Sequence, residues 1–152
     1  MALPLFILQL ASTWFLVGLI WTIQVVHYPL FASVGTERFI SYEASHTRLI
    51  TLVVGPVMLL EAATTLLFLT VRPPAIAAWV AWLGLALLAV IWISTAMLQV
   101  PAHGQLAEGF ESQAHARLVG TNWIRTIAWT ARGVLLAWAT YSVLATIPAQ
   151  AS

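Results

Sequence analysis

The sequence predicts an all-α integral membrane protein, a four-helix up-down bundle with a two-fold internal repeat relating spans 1–2 to spans 3–4. Of its 152 residues, 61% are apolar and only 7% are charged, whereas soluble proteins carry about 25% charged residues. Four apolar stretches reach the roughly 20 residues that a helix needs to cross the hydrocarbon core. The same polar residues also recur in the same order in both halves. We therefore expect one transmembrane domain over residues 1–152.

The predicted spans cover residues 3–28, 49–71, 75–100 and 119–147. The first stretch has no basic n-region and exceeds the roughly 7 to 15 residues of a signal-peptide core, so we expect it to be retained. The second connection is short, because it contains Arg72 and two prolines that end one helix and precede the next.

Charge predicts the orientation of the spans. The loops after spans one and three, with their flanking ends, hold four arginines: Arg38, Arg48, Arg117 and Arg125. The opposite side shows only Arg72. The positive-inside rule then places these polar loops in the cytoplasm and both termini outside, in a bacterial inner membrane.

Composition also excludes several chemistries. The chain has no cysteine, which removes disulfides, thiolate metal sites and cysteine nucleophiles. Lysine is absent and no basic run occurs, so nucleic acid is not an expected partner. The expected partners are the lipid bilayer, a lipophilic small molecule, and further copies of the chain or a larger membrane complex.

The internal repeat is visible in the polar residues. EASHTRLI at 43–50 resembles ESQAHARLV at 111–119, and the order Gln, His, Phe, His, Arg, Leu occurs in each half. Its histidines end spans one and three and begin spans two and four. Topology alone then places all four near the same membrane face: His27, His46, His103 and His115.

This arrangement predicts a metal site. Glu43 with His46, and Glu111 with His115, share a helix face because they lie three and four residues apart. Glu-x-x-His on inward helix faces builds di-iron and di-manganese sites in four-helix bundles. We expect the four histidines to ligate Fe, Cu, Mn or Zn, and the two glutamates to bridge metals or shuttle protons. The alternatives are interfacial histidines without a ligand and glutamates that cap their helices.

A bis-histidine haem is the alternative cofactor, since it needs two facing histidines and an apolar slot. Gln24 and Gln99 lie one turn inside His27 and His103, so they are candidate cofactor-binding residues that fix a histidine tautomer, or else interhelical hydrogen-bond donors. Arg125 is expected to orient an anionic substrate group or to pair with a glutamate.

Two charged residues lie deeper in the spans. Glu61 and Arg132 are each about 20 Å from the polar face, at 1.5 Å per residue. An unpaired charge at that depth is costly, so we expect an ion pair between them. We expect this ion pair to fix the packing and register of the helices; the alternative is that it forms part of a route for protons or substrate.

The second half resembles the anthrone oxygenase-like group of small four-span membrane proteins. The resemblance lies in TAMLQVPAHGQL at 95–106 and LVGTNWIRTIAW at 118–129, about a third of the chain. The matching positions are Pro101, Leu106, Trp123, Arg125 and Thr126. His103 departs from the family, which often has Asn after the proline. The resemblance implies oxidation of an aromatic or quinol-like substrate by oxygen.

Together these features predict a membrane-embedded, metal- or haem-binding oxidoreductase or oxygenase for a lipophilic substrate. The expected catalytic residues are Arg125, Glu43 and Glu111. The alternatives are a non-enzymatic accessory subunit of a membrane complex and a small transporter, which the parallel repeat and the deep Glu61 and Arg132 favour.

Overall fold

The computed structural model describes residues 1–146, and every regular element within them is helical. Helix α1 covers Ala2–Ser33, α2 covers Thr36–Phe68, α3 covers Ala78–Leu106 and α4 covers Ser112–Leu144. Among the described residues, α1, α2 and α3 are long and apolar enough to cross a membrane, which indicates an integral membrane protein. Ile147, the predicted end of span four, lies outside the described residues.

Helices α2 and α4 extend beyond the predicted spans at the polar end. Gly35 precedes α2 with a φ of 81°, and Gly109 precedes α4 with a φ of 143°, a backbone region that glycine enters without a Cβ penalty. The polar start of α2 is helical because it has an inward face: Phe39, Glu43 and His46 are buried at spacings of four and three residues. Because residues 36–48 mix polar and apolar side chains, an apolar run does not predict this first part of α2.

Two π-helical segments shape the inward faces of α1 and α3. They cover Ile23–His27 and Thr95–Gln99, and a proline follows each one within two residues. A π-turn holds one more residue than an α-turn and is common at functional sites. Each segment carries one buried glutamine, Gln24 or Gln99.

The four helices enclose three apolar layers, and one side of the bundle is more open than the others. Helix α4 packs along both α1 and α3, and α1 packs along α2, while α2 and α3 touch each other much less. Apolar layers lie around Phe68 at the α2–α3 connection, around Trp129 in the middle, and around Phe31 at the polar end. The gap between α2 and α3 is where the candidate site opens.

Arg72 is part of the α2–α3 connection itself. Its Nε donates to the carbonyl of Ile76 at 3.1 Å, and its Nη1 donates to the carbonyl of Leu69 at 3.0 Å. The guanidinium thereby satisfies carbonyls at the end of α2 and in the turn that follows.

The predicted ion pair between Glu61 and Arg132 is confirmed. Arg132 Nε lies 2.9 Å from Glu61 Oε1, and both side chains are fully buried. Thr13 donates to Glu61 Oε1 at 2.7 Å, and Trp129 Nε1 donates to Oε2 at 3.1 Å. Arg132 also donates to the Gly84 carbonyl and to Thr65 Oγ1. Thr13 lies on α1, Thr65 on α2, Gly84 on α3 and Trp129 on α4. The hydrogen bonds of the ion pair therefore link all four helices.

Candidate functional site

A group of polar side chains lies between the helices at the end of the bundle where α1 meets α2 and α3 meets α4. We call it the polar site, and its members are His27, Tyr28, Glu43, His46, His103 and Arg125. Glu43 is fully buried, and Tyr28, His46 and Arg125 are each less than 9% exposed. The side chain of His103 is 16% exposed.

Four of these residues form a continuous chain of hydrogen bonds. His103 Nδ1 lies 2.5 Å from Glu43 Oε1, and His103 Nε2 lies 3.0 Å from the Tyr28 hydroxyl. Arg125 Nη2 donates to that hydroxyl at 3.4 Å. A guanidinium can only donate and a carboxylate can only accept. The Tyr28 proton is therefore directed at His103 Nε2, and the His103 proton resides on Nδ1.

The other two histidines form a second pair beside this chain. His27 Nε2 lies 2.9 Å from His46 Nδ1. The rings of His46 and His103 are 5.4 Å apart between centroids. The Phe31 ring packs edge-on against His27, His46 and His103, so it contacts all three imidazoles.

Two buried atoms of the polar site have no protein partner. They are Glu43 Oε2 and His46 Nε2. Both belong to α2 and lie three residues apart, so they face the same side of that helix. Leaving a buried polar atom without a hydrogen bond costs about 1–3 kcal/mol, which makes these atoms candidates for contact with a bound molecule.

The polar site borders a cavity of about 500 Å³. Tyr28, His103 and Arg125 line one part of it, and Met58 and Trp129 line another. Most of the wall is apolar, and on α2 and α3 it includes the solvent- or lipid-exposed residues Thr51 and Val100. The cavity therefore combines an apolar interior with three convergent polar groups, as ligand sites usually do.

Arg125 has no acidic partner among residues 1–146, so its predicted pairing with a glutamate is wrong. Its Nε donates to Asn122 Oδ1 at 2.9 Å, and Nη2 donates to the same atom. Asn122 in turn donates to Gln24 Oε1 at 2.7 Å. Neutral groups thus fix the guanidinium at the cavity wall and leave its charge uncompensated by a carboxylate.

Within residues 1–146, Gln24 and Gln99 form no hydrogen bond with a histidine, which corrects their prediction as residues that fix a tautomer. Gln24 Nε2 donates to the Val119 carbonyl at 3.2 Å. Gln99 Nε2 donates to Thr121 Oγ1 at 3.1 Å and accepts from Ser94. The π-segments direct both amides at α4, so the interhelical alternative is what the structure shows.

Glu111 and His115 are separate from the polar site. Glu111 is exposed and accepts from the backbone N–H groups of Gln113 and Ala114 at 2.8 and 2.5 Å, which makes it the N-cap of α4. His115 Nε2 donates to the Tyr28 carbonyl at 2.7 Å. Helix capping, the alternative for Glu111, therefore explains its position, and Glu111 does not bridge toward Glu43.

The predicted ligand set does not match a ready-made metal site. Among residues 1–146, no three His, Asp or Glu side chains surround a common point in ligating geometry. Five ring nitrogens of the four histidines are hydrogen-bonded to one another, to Glu43, to the Tyr28 hydroxyl or to the Tyr28 carbonyl, whereas His46 Nε2 is buried without a protein partner. His27 and His46 hydrogen-bond directly to each other, so this particular pair leaves no space for a haem between its two rings.

Sequence reasoning missed Tyr28, which links His103 to Arg125. Its signal was its position directly after His27, at the inward end of a span.

Comparison of the chain with known protein families, curated proteins and solved structures gives no match.

Proposed function

We propose that the protein is a membrane-embedded oxidoreductase that takes a lipophilic phenol or quinol from the bilayer into the 500 Å³ cavity. One observation supports this function above the others: Tyr28, His103 and Arg125 meet at the wall of an apolar cavity. This arrangement offers a proton acceptor and a cation to a substrate hydroxyl while the remainder of the substrate stays in apolar surroundings.

The hydrogen-bond directions define the proton transfer. The substrate hydroxyl gives its proton to the Tyr28 oxygen as Tyr28 passes its own proton to His103 Nε2. Glu43 accepts from His103 Nδ1 and stabilises the imidazolium that forms. Arg125 stabilises the negative charge left on the substrate oxygen. Dioxygen is the proposed oxidant: a quinol loses two electrons and two protons to become a quinone. Dioxygen gains the two electrons, the proton that returns from His103 through Tyr28 and the second quinol proton, and leaves as hydrogen peroxide.

The test uses purified protein in lipid nanodiscs with decylubiquinol as the probe. Oxygen uptake and quinone absorbance are followed, and empty nanodiscs correct for spontaneous oxidation. We expect Tyr28→Phe and His103→Asn to lower kcat by about 100-fold or more, since positioned acid–base groups contribute about 10²–10⁴-fold. His115→Asn is the matched control, because His115 bonds only to the backbone carbonyl of Tyr28 and to none of the side chains that transfer the proton.

Two results would contradict the proposal. One is wild-type protein that neither binds decylubiquinol nor raises its oxidation above that of empty nanodiscs. The other is oxidation that proceeds unchanged in Tyr28→Phe and His103→Asn variants with wild-type circular dichroism.

A metal-dependent form of the same function is a second candidate. The unpartnered Glu43 Oε2 and His46 Nε2 favour it, because carboxylate and imidazole suit first-row transition metals. His27, His46, His103 and Glu43 would hold the ion after exchanging their mutual hydrogen bonds for metal bonds, and the metal would supply redox chemistry or Lewis acidity. Stoichiometric metal in purified protein, lost in His46→Ala, distinguishes this candidate.

We also propose that all four helices cross the bilayer in up-down order, with the polar loops in the cytoplasm, and that the halves arose by duplication. Support comes from the equivalent π-segments at Ile23–His27 and Thr95–Gln99, each with an inward glutamine that bonds to α4. Cysteine labelling at exposed Glu37 and Glu108 from each side of the membrane tests the orientation.

A further inference from the structure

We infer that the cavity is a binding site for a lipophilic monocarboxylic acid. Its carboxylate pairs with Arg125, and its hydrocarbon part lies against Met58 and Trp129. All three residues line the cavity. Such binding needs neither a redox step nor a proton transfer, so it goes beyond the proposed function. The reason lies in donors of Arg125 that the protein leaves poorly satisfied.

The guanidinium of Arg125 is well bonded only on its Nε side. Nε donates to Asn122 Oδ1 at 2.9 Å, and one N–H of Nη2 donates to the same oxygen. Nη1 reaches Thr95 Oγ1 and the second N–H of Nη2 reaches the Tyr28 hydroxyl, each at 3.4 Å. Both distances exceed the roughly 2.7–3.2 Å of an ordinary N–H···O bond. Because each Nη carries two N–H groups, one N–H of Nη1 has no acceptor within residues 1–146.

The poorly bonded side of the guanidinium, formed by Nη1 and Nη2, faces the cavity. Thr95 and Tyr28, whose hydroxyls these nitrogens reach, line the cavity as Arg125 does. Adjacent N–H groups in one plane match the two oxygens of a carboxylate, which binds arginine through parallel bonds of about 2.7–2.9 Å. A ligand carboxylate therefore replaces two long contacts with two short, charge-assisted hydrogen bonds.

Arg125 also lacks a counter-ion. It is only 7% exposed and forms no ion pair with Asp or Glu in residues 1–146, and a buried charge without a partner is costly. Among the cavity-lining residues of the described chain, Arg125 alone carries a permanent charge. A single cation suits the single charge of a carboxylate better than the higher charge of a phosphate monoester.

The apolar part of the cavity fixes the lipophilic part of the ligand. Trp129 lies four residues after Arg125, so the two side chains share a face of α4 one turn apart. Met58 of α2 belongs to the same apolar layer as Trp129, farther from the polar end than Arg125. A lipophilic acid in one leaflet likewise holds its carboxylate toward the polar face and its chain toward the middle of the bilayer. It can therefore enter between α2 and α3 without turning over.

The experiment measures binding of radiolabelled dodecanoate to purified protein in lipid nanodiscs, with empty nanodiscs subtracted. We expect saturable binding, and we expect unlabelled methyl dodecanoate to displace the label at least about tenfold less well than dodecanoate, because the ester is uncharged. Arg125→Gln should weaken binding at least about tenfold, and so should Arg125→Lys, which keeps the charge but loses the planar fork. Arg48→Gln, the same change at an exposed arginine of α2, should keep the wild-type affinity.

The comparison of acid and ester uses wild-type protein, so it stays decisive if the Arg125 variants do not fold. Equal displacement by methyl dodecanoate, or wild-type affinity in folded Arg125→Gln, would overturn the inference. Equal displacement by dodecyl phosphate would overturn the assignment of a carboxylate. Decylubiquinol oxidation without any dodecanoate binding would overturn the inference and leave the proposed function standing. Dodecanoate binding without quinol oxidation would support the inference and contradict the proposed function alone.

Discussion

The buried network around Glu61 and Arg132 predicts a large coupling energy between these two residues. Either Glu61→Leu or Arg132→Met alone leaves one fully buried charge without its partner. Breaking a buried pair in this way costs about 3–5 kcal/mol, so independent effects would sum to about 6–10 kcal/mol. The double variant leaves no charge behind. Thr13 also loses its acceptor, but a threonine hydroxyl can bond to a carbonyl of the preceding turn of its own helix. The main loss is therefore the acceptor of Trp129 Nε1, about 1–3 kcal/mol.

The measurement is the free energy of unfolding in mixed micelles titrated with SDS, followed by circular dichroism. The expected coupling energy is therefore at least about 3 kcal/mol, well above the roughly 0.5 kcal/mol scatter of independent sites. Arg48→Met is the control, because Arg48 is exposed, and we expect it to stay within about 0.5 kcal/mol of wild type. A double variant as unstable as the sum of its two single variants would refute the reasoning.

Further predictions concern the cap, the cavity and the network. Glu111→Ala should lower the free energy of unfolding by about 0.5–2 kcal/mol through loss of the α4 N-cap, while decylubiquinol turnover stays at the wild-type rate; lost turnover in the folded variant would return Glu111 to the site. Gly104→Leu should weaken decylubiquinone binding, measured by calorimetry, at least tenfold, because Gly104 lines the cavity. Gly18→Leu is the control, because a side chain at Gly18 also meets no atom within 4 Å but Gly18 does not line the cavity. We expect it to leave the affinity for decylubiquinone unchanged, and an equal loss of affinity in both variants would contradict the cavity assignment. Trp129→Phe should cost about 1.5–3 kcal/mol in the same SDS titration, since one hydrogen bond to a charged group is lost; no measurable cost would rule out that bond.

The sequence predicted much of the scaffold for simple physical reasons. Long apolar runs with few charges have to be helical in a membrane, because a lipid-exposed backbone must satisfy its own hydrogen bonds. The depth of Glu61 and Arg132 followed from 1.5 Å per residue, and the high cost of an isolated charge made their pairing predictable. Such inferences need only local periodicity and distance along the chain.

The candidate site was less predictable, since it depends on which way side chains point. Glu43 and Glu111 each begin one of the two similar stretches, 43–50 and 111–119, yet Glu43 is fully buried against His103 and Glu111 is an exposed cap. Glu43 lies inside α2, seven residues after its first residue, whereas Glu111 precedes the first residue of α4. A few residues of difference in where each helix begins therefore gave the two glutamates different roles.

By itself, the sequence determined an all-helical chain with membrane-spanning character, a charge pair at matching depth, and polar residues concentrated toward one end. Those properties follow from hydrophobicity and helical rise, which act locally. Only the tertiary structure decided that Tyr28 connects His103 to Arg125, that Gln24 and Gln99 face α4, and that the gap between α2 and α3 holds a cavity. Those contacts join residues from different helices, and their geometry is set by π-turns, helix starts and packing angles that hydrophobic patterning leaves open.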